Sequence, residues 1–207
     1  MKISNNITTL IFDFGGVIIN LDLPQCIENL KQLGLNDVDQ YLSNFGQKDF
    51  FLKYEKGYIG TEEFRSEIRN LASKPVTDEQ IDAAWCSFLC DIPDAKIELL
   101  IELKKKYRLL LLSNTNPLHI SVSGESEFAK RGLSVYDIFD KCYLSYEMKM
   151  AKPDAEIFEA LLADAGVRVN ECLFLDDGPK NIATAEKLGI QSYLVSENEN
   201  LDFLLQG

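Results

Sequence analysis

The 207 residues include 21 Lys and Arg against 33 Asp and Glu, a formal net charge of −12. That balance excludes a nucleic-acid partner, which takes clustered cations to release the counterions of a phosphate backbone, and any small anion needs a local cationic device to approach. With 46% hydrophobic and 26% charged residues, the chain has the proportions of a globular protein able to bury its own core, which excludes a disordered or fibrous polymer.

In chain order, Met1 to Thr9 lacks the basic start and apolar run of a secretory signal, and no stretch approaches the ~18 apolar residues of a membrane span. The expected setting is cytoplasmic, with no membrane partner. Thr9 to Phe14 is the first strand-like run. From about Leu21 to Cys90 no strand pattern follows, only helical ones at Pro24 to Leu33, Thr61 to Leu71 and Asp78 to Leu89. Thr61 before Glu62 and Glu63, and Thr77 before Asp78 and Glu79, read as capping residues, with acids at the positive end of the helix dipole. Strand-like runs then return at Arg108 to Leu112, Cys142 to Leu144, Cys172 to Leu175 and Gln191 to Val195. Between or before them lie amphipathic helices at Ala95 to Tyr107, Asp154 to Ala165 and Asn181 to Leu188, the last two followed by Gly166 and Gly189.

Alternation of this kind predicts an α/β fold, a doubly wound parallel sheet of Rossmann-like form carrying an inserted all-helical cap. The expected division is a core of residues 1–20 and 91–207 and a cap of residues 21–90, with hinges near Asn20 and near Asp91 to Pro93. Five cysteines, an odd number with no CxxC pair, fit neither a disulfide framework nor a zinc site and read as reduced, mostly core thiols, Cys86 and Cys90 included.

An open parallel sheet presents ligands to the carboxyl ends of its strands. Here the first strand ends in Asp13-Phe14-Gly15-Gly16, the second in Ser113-Asn114-Thr115-Asn116 and the fourth in Asp176-Asp177-Gly178. Lys152, followed by Pro153 at an expected helix start, comes between the third and fourth. Each fragment alone suits a turn or a cap. Together they bring three carboxylates to one edge, where like charges need a divalent cation with hard oxygen ligands, and Mg²⁺ is the natural one. Acids, a hydroxyl and a lysine are the parts of a phosphoryl-transfer site.

In order and content the segments FDFGGVI (12–18), YEKGYIGTEEF (54–64), LSNTNPLH (112–119), YLSYEMKMAKPDAEIF (143–158) and LFLDDGPKN (173–181) resemble the haloacid dehalogenase superfamily. Within it they are similar to α-D-glucose-1-phosphate phosphatase-like members. The resemblance implies a phosphatase of small phosphorylated metabolites, sugar phosphates foremost. In it Asp13 attacks phosphorus, the Gly15 carbonyl with Asp13 and Asp177 binds Mg²⁺, and Asp176 ligates directly or through water. Ser113 and the Asn114 amide would hold phosphate oxygens, while Lys152 would neutralise charge. A small phosphate ester is the implied partner, and monomer and homodimer both remain open. The alternatives are a metal-free dehalogenase, which two uncompensated acids at Asp176 and Asp177 disfavour, and a phosphate-binding regulator with weakened turnover.

One position departs from the superfamily pattern. Two residues after the nucleophile, where an Asp commonly protonates the leaving group, stands Gly15. A general acid/base is worth roughly 10²–10⁴ in rate, so aryl and anomeric phosphates are expected to suffer least. Asp22, Glu55 and His119 are the candidate substitutes. His119, the sole histidine, reads as a solvated helix residue, Trp85 as cap core, and the Gly57 to Thr61 turn as either a helix connection or a substrate reader.

Overall fold

The computed structural model describes residues 4–42, 47–197 and 199–206, with the main chain alone at Ser123. Five strands, β1 (Thr9–Phe12), β2 (Arg108–Ser113), β3 (Lys141–Leu144), β4 (Cys172–Asp176) and β5 (Gln191–Leu194), form one sheet in the order β3-β2-β1-β4-β5, every pair parallel. Thr9 to Phe12 and Leu109 to Leu112 are buried along their whole length because helices cover both faces, which is why the central strands read as unbroken apolar runs. Edge strand β5, with Gln191 and Ser192, is only partly buried.

The pleat divides the core by alternation. Leu10, Phe12, Leu109, Leu111, Leu173 and Leu175 point to one face, and Ile11, Leu110, Leu112 and Phe174 to the other.

The helices are α1 (Leu23–Gln32), α2 (Asp49–Glu55), α3 (Thr61–Leu71), α4 (Asp78–Cys86), α5 (Asp94–Lys104), the short α6 (Glu125–Ala129), α7 (Val135–Ile138) and α8 (Ser145–Met148), then α9 (Ala155–Ala165) and α10 (Pro179–Lys187). The first face of the sheet packs on α5, α6 and α7 through Leu100, Phe128 and Ile138, and the second on α9 and α10 through Ile157, Leu161 and Ala185. Helices α1 to α4 bury a separate cluster, in which Phe50, Phe51, Tyr54, Phe64 and Trp85 pack ring against ring at centroid distances from 4.1 to 5.8 Å. No helix among the described residues is long and apolar enough to cross a membrane.

Several local expectations change. Helix α2 buries Phe50, Phe51, Tyr54 and Glu55 on one face, but seven residues complete barely two turns, too short a window for a helical period to stand out in the sequence. Gly60, not Thr61, is the N-cap of α3; the Thr61 hydroxyl lies 2.9 Å from the Tyr54 hydroxyl. Thr77 does cap α4, in a reciprocal pair with Gln80. Pro153 precedes α9 without starting it, since Asp154 is the N-cap. Of the cysteines, Cys26, Cys86 and Cys172 are buried and Cys142 is half-buried, but Cys90 is exposed.

The two crossings between helices and sheet run side by side. Asn20 N–H donates to Asp91 O at 3.0 Å, Cys90 N–H to Asn20 O at 2.9 Å and Asp22 N–H to Phe88 O at 2.9 Å. The expected hinges therefore form one hydrogen-bonded ribbon.

Candidate active site

The C-terminal ends of β1, β2 and β4 meet as the order β2-β1-β4 requires, and the turns beyond them line one pocket. Its floor is Asp13, Gly15, Ser113, Asn114, Lys152 and Asp177; its roof is Leu21, Gln47, Glu55, Phe88, Leu89 and His119. Beyond Phe12 the chain leaves the sheet but stays tied to it, with Asp13 N–H donating to Leu175 O at 2.9 Å. Gly16 holds a φ of +70°, and a Cβ there would collide with Asp177 Oδ2. Glycine at 16 thus lets the β1 turn pass against the acid from β4. Gly178 is constrained alike: its N–H donates to Asp176 Oδ1 at 2.7 Å, and a Cβ would meet Asp176 Oδ1 at 2.9 Å.

Lys152 lies between two of the acids, with Nζ 2.8 Å from Asp13 Oδ1 and 2.6 Å from Asp176 Oδ2. Its backbone is gripped by the Asn114 side chain, whose Oδ1 accepts from Lys152 N–H and whose Nδ2 donates to Lys152 O, both at 2.8 Å. Asp176 is fully engaged, taking Lys152 on one oxygen and Gly178 N–H and Asn181 Nδ2 on the other. Asp13 also accepts from Phe14 N–H at 2.6 Å.

Charge at the site does not balance. Ligand atoms of Asp13, Asp176 and Asp177 lie within 4.8 Å of one another, with one ammonium among them. Burial, only partly opposed by Lys152 and reinforced by Asp176 and Asp177, holds the Asp13 carboxyl well above the usual carboxylate range. Burial and the neighbouring Asp176 push Asp177 up to about 6. Burial works against the Lys152 ammonium, but Asp13 and Asp176 outweigh it and raise its affinity for the proton. Hard oxygens carrying more negative charge than one lysine offsets are the donor set of a small divalent cation.

Among the roof residues, Glu55 at the end of α2 is buried within reach of the Lys152 charge and the Gln47 side chain, and desolvation pushes its carboxyl up to about 8 against both. The solvated reading of His119 is corrected. The ring is buried, stacks on Trp85 at 4.6 Å and places Nε2 3.2 Å from Trp85 O; a carbonyl only accepts, so Nε2 carries the proton. Burial lowers its pKa to about 4, so the ring is neutral at neutral pH. Trp85 is core, as expected, and its Nε1–H donates to Asn116 Oδ1 at 3.3 Å. Asp22 stands away from the pocket lining, capping α1 by accepting from Gln25 N–H at 2.9 Å. The Gly57 turn docks outside the pocket, where Gly57, at φ +64°, leaves no room for a Cβ against Tyr146 O.

Two contributors escape the sequence reading. Gln47 lies in a stretch without motif or period. Ser145 does carry a signal, since it directly follows β3 at the carboxyl edge of the sheet, where Ser113 closes β2. Buried, it accepts from Thr115 N–H at 2.9 Å and presents its hydroxyl proton to Glu55 O at 2.6 Å, joining the β2 turn to α2.

Residues 7–189 match the model of the haloacid dehalogenase-like hydrolases. A protein of Bacteroides thetaiotaomicron named D-ribitol-5-phosphate phosphatase is 36% identical over 187 residues, 90% of this chain and 91% of the relative. A wild-type HAD family enzyme of the same organism, crystallised with magnesium and inorganic phosphate, superimposes with a TM-score of 0.89 at 46% identity, over 96% of this chain and 98% of that one. A HAD-like hydrolase of Porphyromonas gingivalis gives 0.87 at 38% identity, over 94% and 93%. With nearly the whole chain aligned and the strand-end acids in a parallel sheet, the protein belongs to the haloacid dehalogenase-like hydrolase family.

Proposed function

We propose that the chain is a Mg²⁺-dependent phosphatase of small phosphorylated metabolites, sugar or polyol phosphates, working through an aspartyl-phosphate on Asp13. The observation that carries this reading is the triad of Asp13, Asp176 and Asp177 around the Lys152 ammonium at the carboxyl edge of the sheet. A relative bearing a polyol-phosphate name, and a solved neighbour that binds magnesium and phosphate, point the same way. Residues 21–90 serve in this reading as a cap over the core of residues 1–20 and 91–207.

Asp13 attacks phosphorus, the ester P–O bond breaks, and water later cleaves the aspartyl-phosphate to return Asp13 and free phosphate. Asp13, Asp177 and the Gly15 carbonyl hold the ion, which supplies the positive charge that lets phosphoryl oxygens approach two carboxylates. Lys152 adds charge between nucleophile and phosphoryl group, kept in place by Asp176 and the Asn114 side chain. Ser113 and the main-chain N–H of Asn114 receive phosphate oxygens.

The test is a panel of phosphate esters with and without Mg²⁺, beside Asp13→Asn, which keeps the side-chain shape and removes the attacking oxygen. Hydrolysis should need the metal and fall to background in the variant. Substantial turnover by Asp13→Asn, or no ester cleaved with Mg²⁺ present, would refute the reading.

A further inference from the structure

A phosphate on a primary alcohol, such as a polyol 5-phosphate, leaves as an alkoxide unless a proton reaches the departing oxygen, and Gly15 has none to give. On the phosphatase reading, on which this inference rests, another group of this chain must fill that place. The geometry eliminates two of the three sequence candidates. Asp22 caps α1 outside the pocket, and His119 commits its Nε2 proton to a backbone carbonyl while its ring stacks on Trp85.

We propose that Glu55, delivered from the cap into the same pocket as Asp13 and Lys152, is the catalytic general acid and base of this enzyme. Both sides of its peptide are anchored to the core. Its carbonyl accepts from Ser145 Oγ, itself bonded to the Thr115 N–H beside Ser113, and the next residue, Lys56, pairs with Asp154 at 3.0 Å, two residues beyond Lys152. The end of α2 is thereby fixed over the phosphate-binding turns. The buried carboxyl, pushed up to about 8, carries its proton at neutral pH, while Lys152 and Gln47 face it and stabilise the anion left after transfer. The other titratable groups of the pocket are Asp13 and Asp177 on the floor and neutral His119 on the roof.

As Asp13 bonds to phosphorus and the ester bond breaks, its electron pair goes to the alkyl oxygen, which takes the Glu55 proton and departs as the alcohol. The Glu55 carboxylate then accepts a proton from the water that attacks the aspartyl-phosphate, so one turnover restores it.

Glu55→Gln keeps the size and neutrality of the protonated acid and removes the transferable proton. Compared with wild type on a primary alkyl phosphate and on an aryl phosphate, both with Mg²⁺, it should lose roughly 10²–10⁴ in kcat/KM on the alkyl ester and only a few-fold on the aryl ester, which needs no proton. Equal losses on both esters would make Glu55 a positioning residue and overturn the proposal, as would an undiminished alkyl rate. A second measurement uses the wild type alone. Across esters of falling leaving-group acidity its single-turnover rate should stay nearly flat, and a steep fall from aryl to alkyl would equally overturn the proposal. Adding Gly15→Asp to Glu55→Gln should restore alkyl turnover, because a Cβ at 15 meets only the flexible end of Leu21 at 3.3 Å. Aryl turnover that stays dependent on Asp13 and Mg²⁺ separates failure here from failure of the phosphatase reading.

Discussion

Asp177 is the residue at which removal of a charge has two opposite consequences. Its carboxyl is pushed up to about 6 by burial and by Asp176, so the folded, metal-free protein binds this proton more tightly than the unfolded chain does. The sign follows: between about pH 4 and 6 stability falls as pH rises, and above that range the repulsion is felt in full. Asp177→Asn should therefore leave the metal-free melting temperature at neutral pH unchanged or higher. The same variant should lose the rise that Mg²⁺ gives the wild type, ~2.7 kcal/mol at a hundredfold excess over Kd, or about 5–10 °C for a chain of this length. Thermal scans with Mg²⁺ and with chelator measure both, and a variant that still responds to the ion would remove Asp177 from the ligand set. Gly15 and Gly16 also part company at this scale. Only Gly16 has a positive φ and an acid at its Cβ position, so the missing side chain at 15 reflects no demand of the backbone.

Between elements, the contact that matters most is the one Ser145 makes at the end of β3. Ser145→Ala would orphan the buried Thr115 N–H and free the Glu55 carbonyl, at a cost of about 1–3 kcal/mol. The expected outcome is a melting temperature lower by about 2–12 °C, with a larger loss of kcat/KM on alkyl than on aryl phosphates, since the tether of α2 loosens while Asp13 and Lys152 stay in place. Calorimetry and the two-ester assay check it. The sequence made the acids of β1 and β4 legible because strand ends in a parallel sheet converge by rule. It left Ser145 unread because a lone serine after a short strand carries the same signal as any turn residue. His119 was misread for a related reason: six residues past Ser113 it looks helical and polar, and only the packing of α4 against the β2 turn puts Trp85 over its ring.

Across the whole molecule the sheet buries one cluster on each face and the helices α1 to α4 bury a third, which meets the first face's cluster around Leu21 and Leu89. Phe64, fully buried against Phe50, Phe51, Tyr54 and Trp85, tests how far the helical cluster stands alone. Phe64→Ala should cost about 3–5 kcal/mol of packing. If residues 21–90 form a unit of their own, thermal unfolding followed by circular dichroism should split into two transitions, with the Mg²⁺ response retained by the later one; a single shifted transition would join cap and core into one cooperative body. By itself the sequence determined the parallel sheet, the helical stretch after β1 and the convergence of Asp13, Lys152, Asp176 and Asp177. Those follow from apolar periodicity and from strand-end chemistry, both of which are local or fixed by the sheet rule. The tertiary structure alone decided what roofs the pocket. Whether Glu55, Gln47 or His119 faces Asp13 depends on how α2 and α4 dock on the β2 and β3 turns, and that docking rests on contacts between residues 30 to 90 positions apart, such as Trp85 with Asn116 and Glu55 with Ser145, which no short-range pattern encodes.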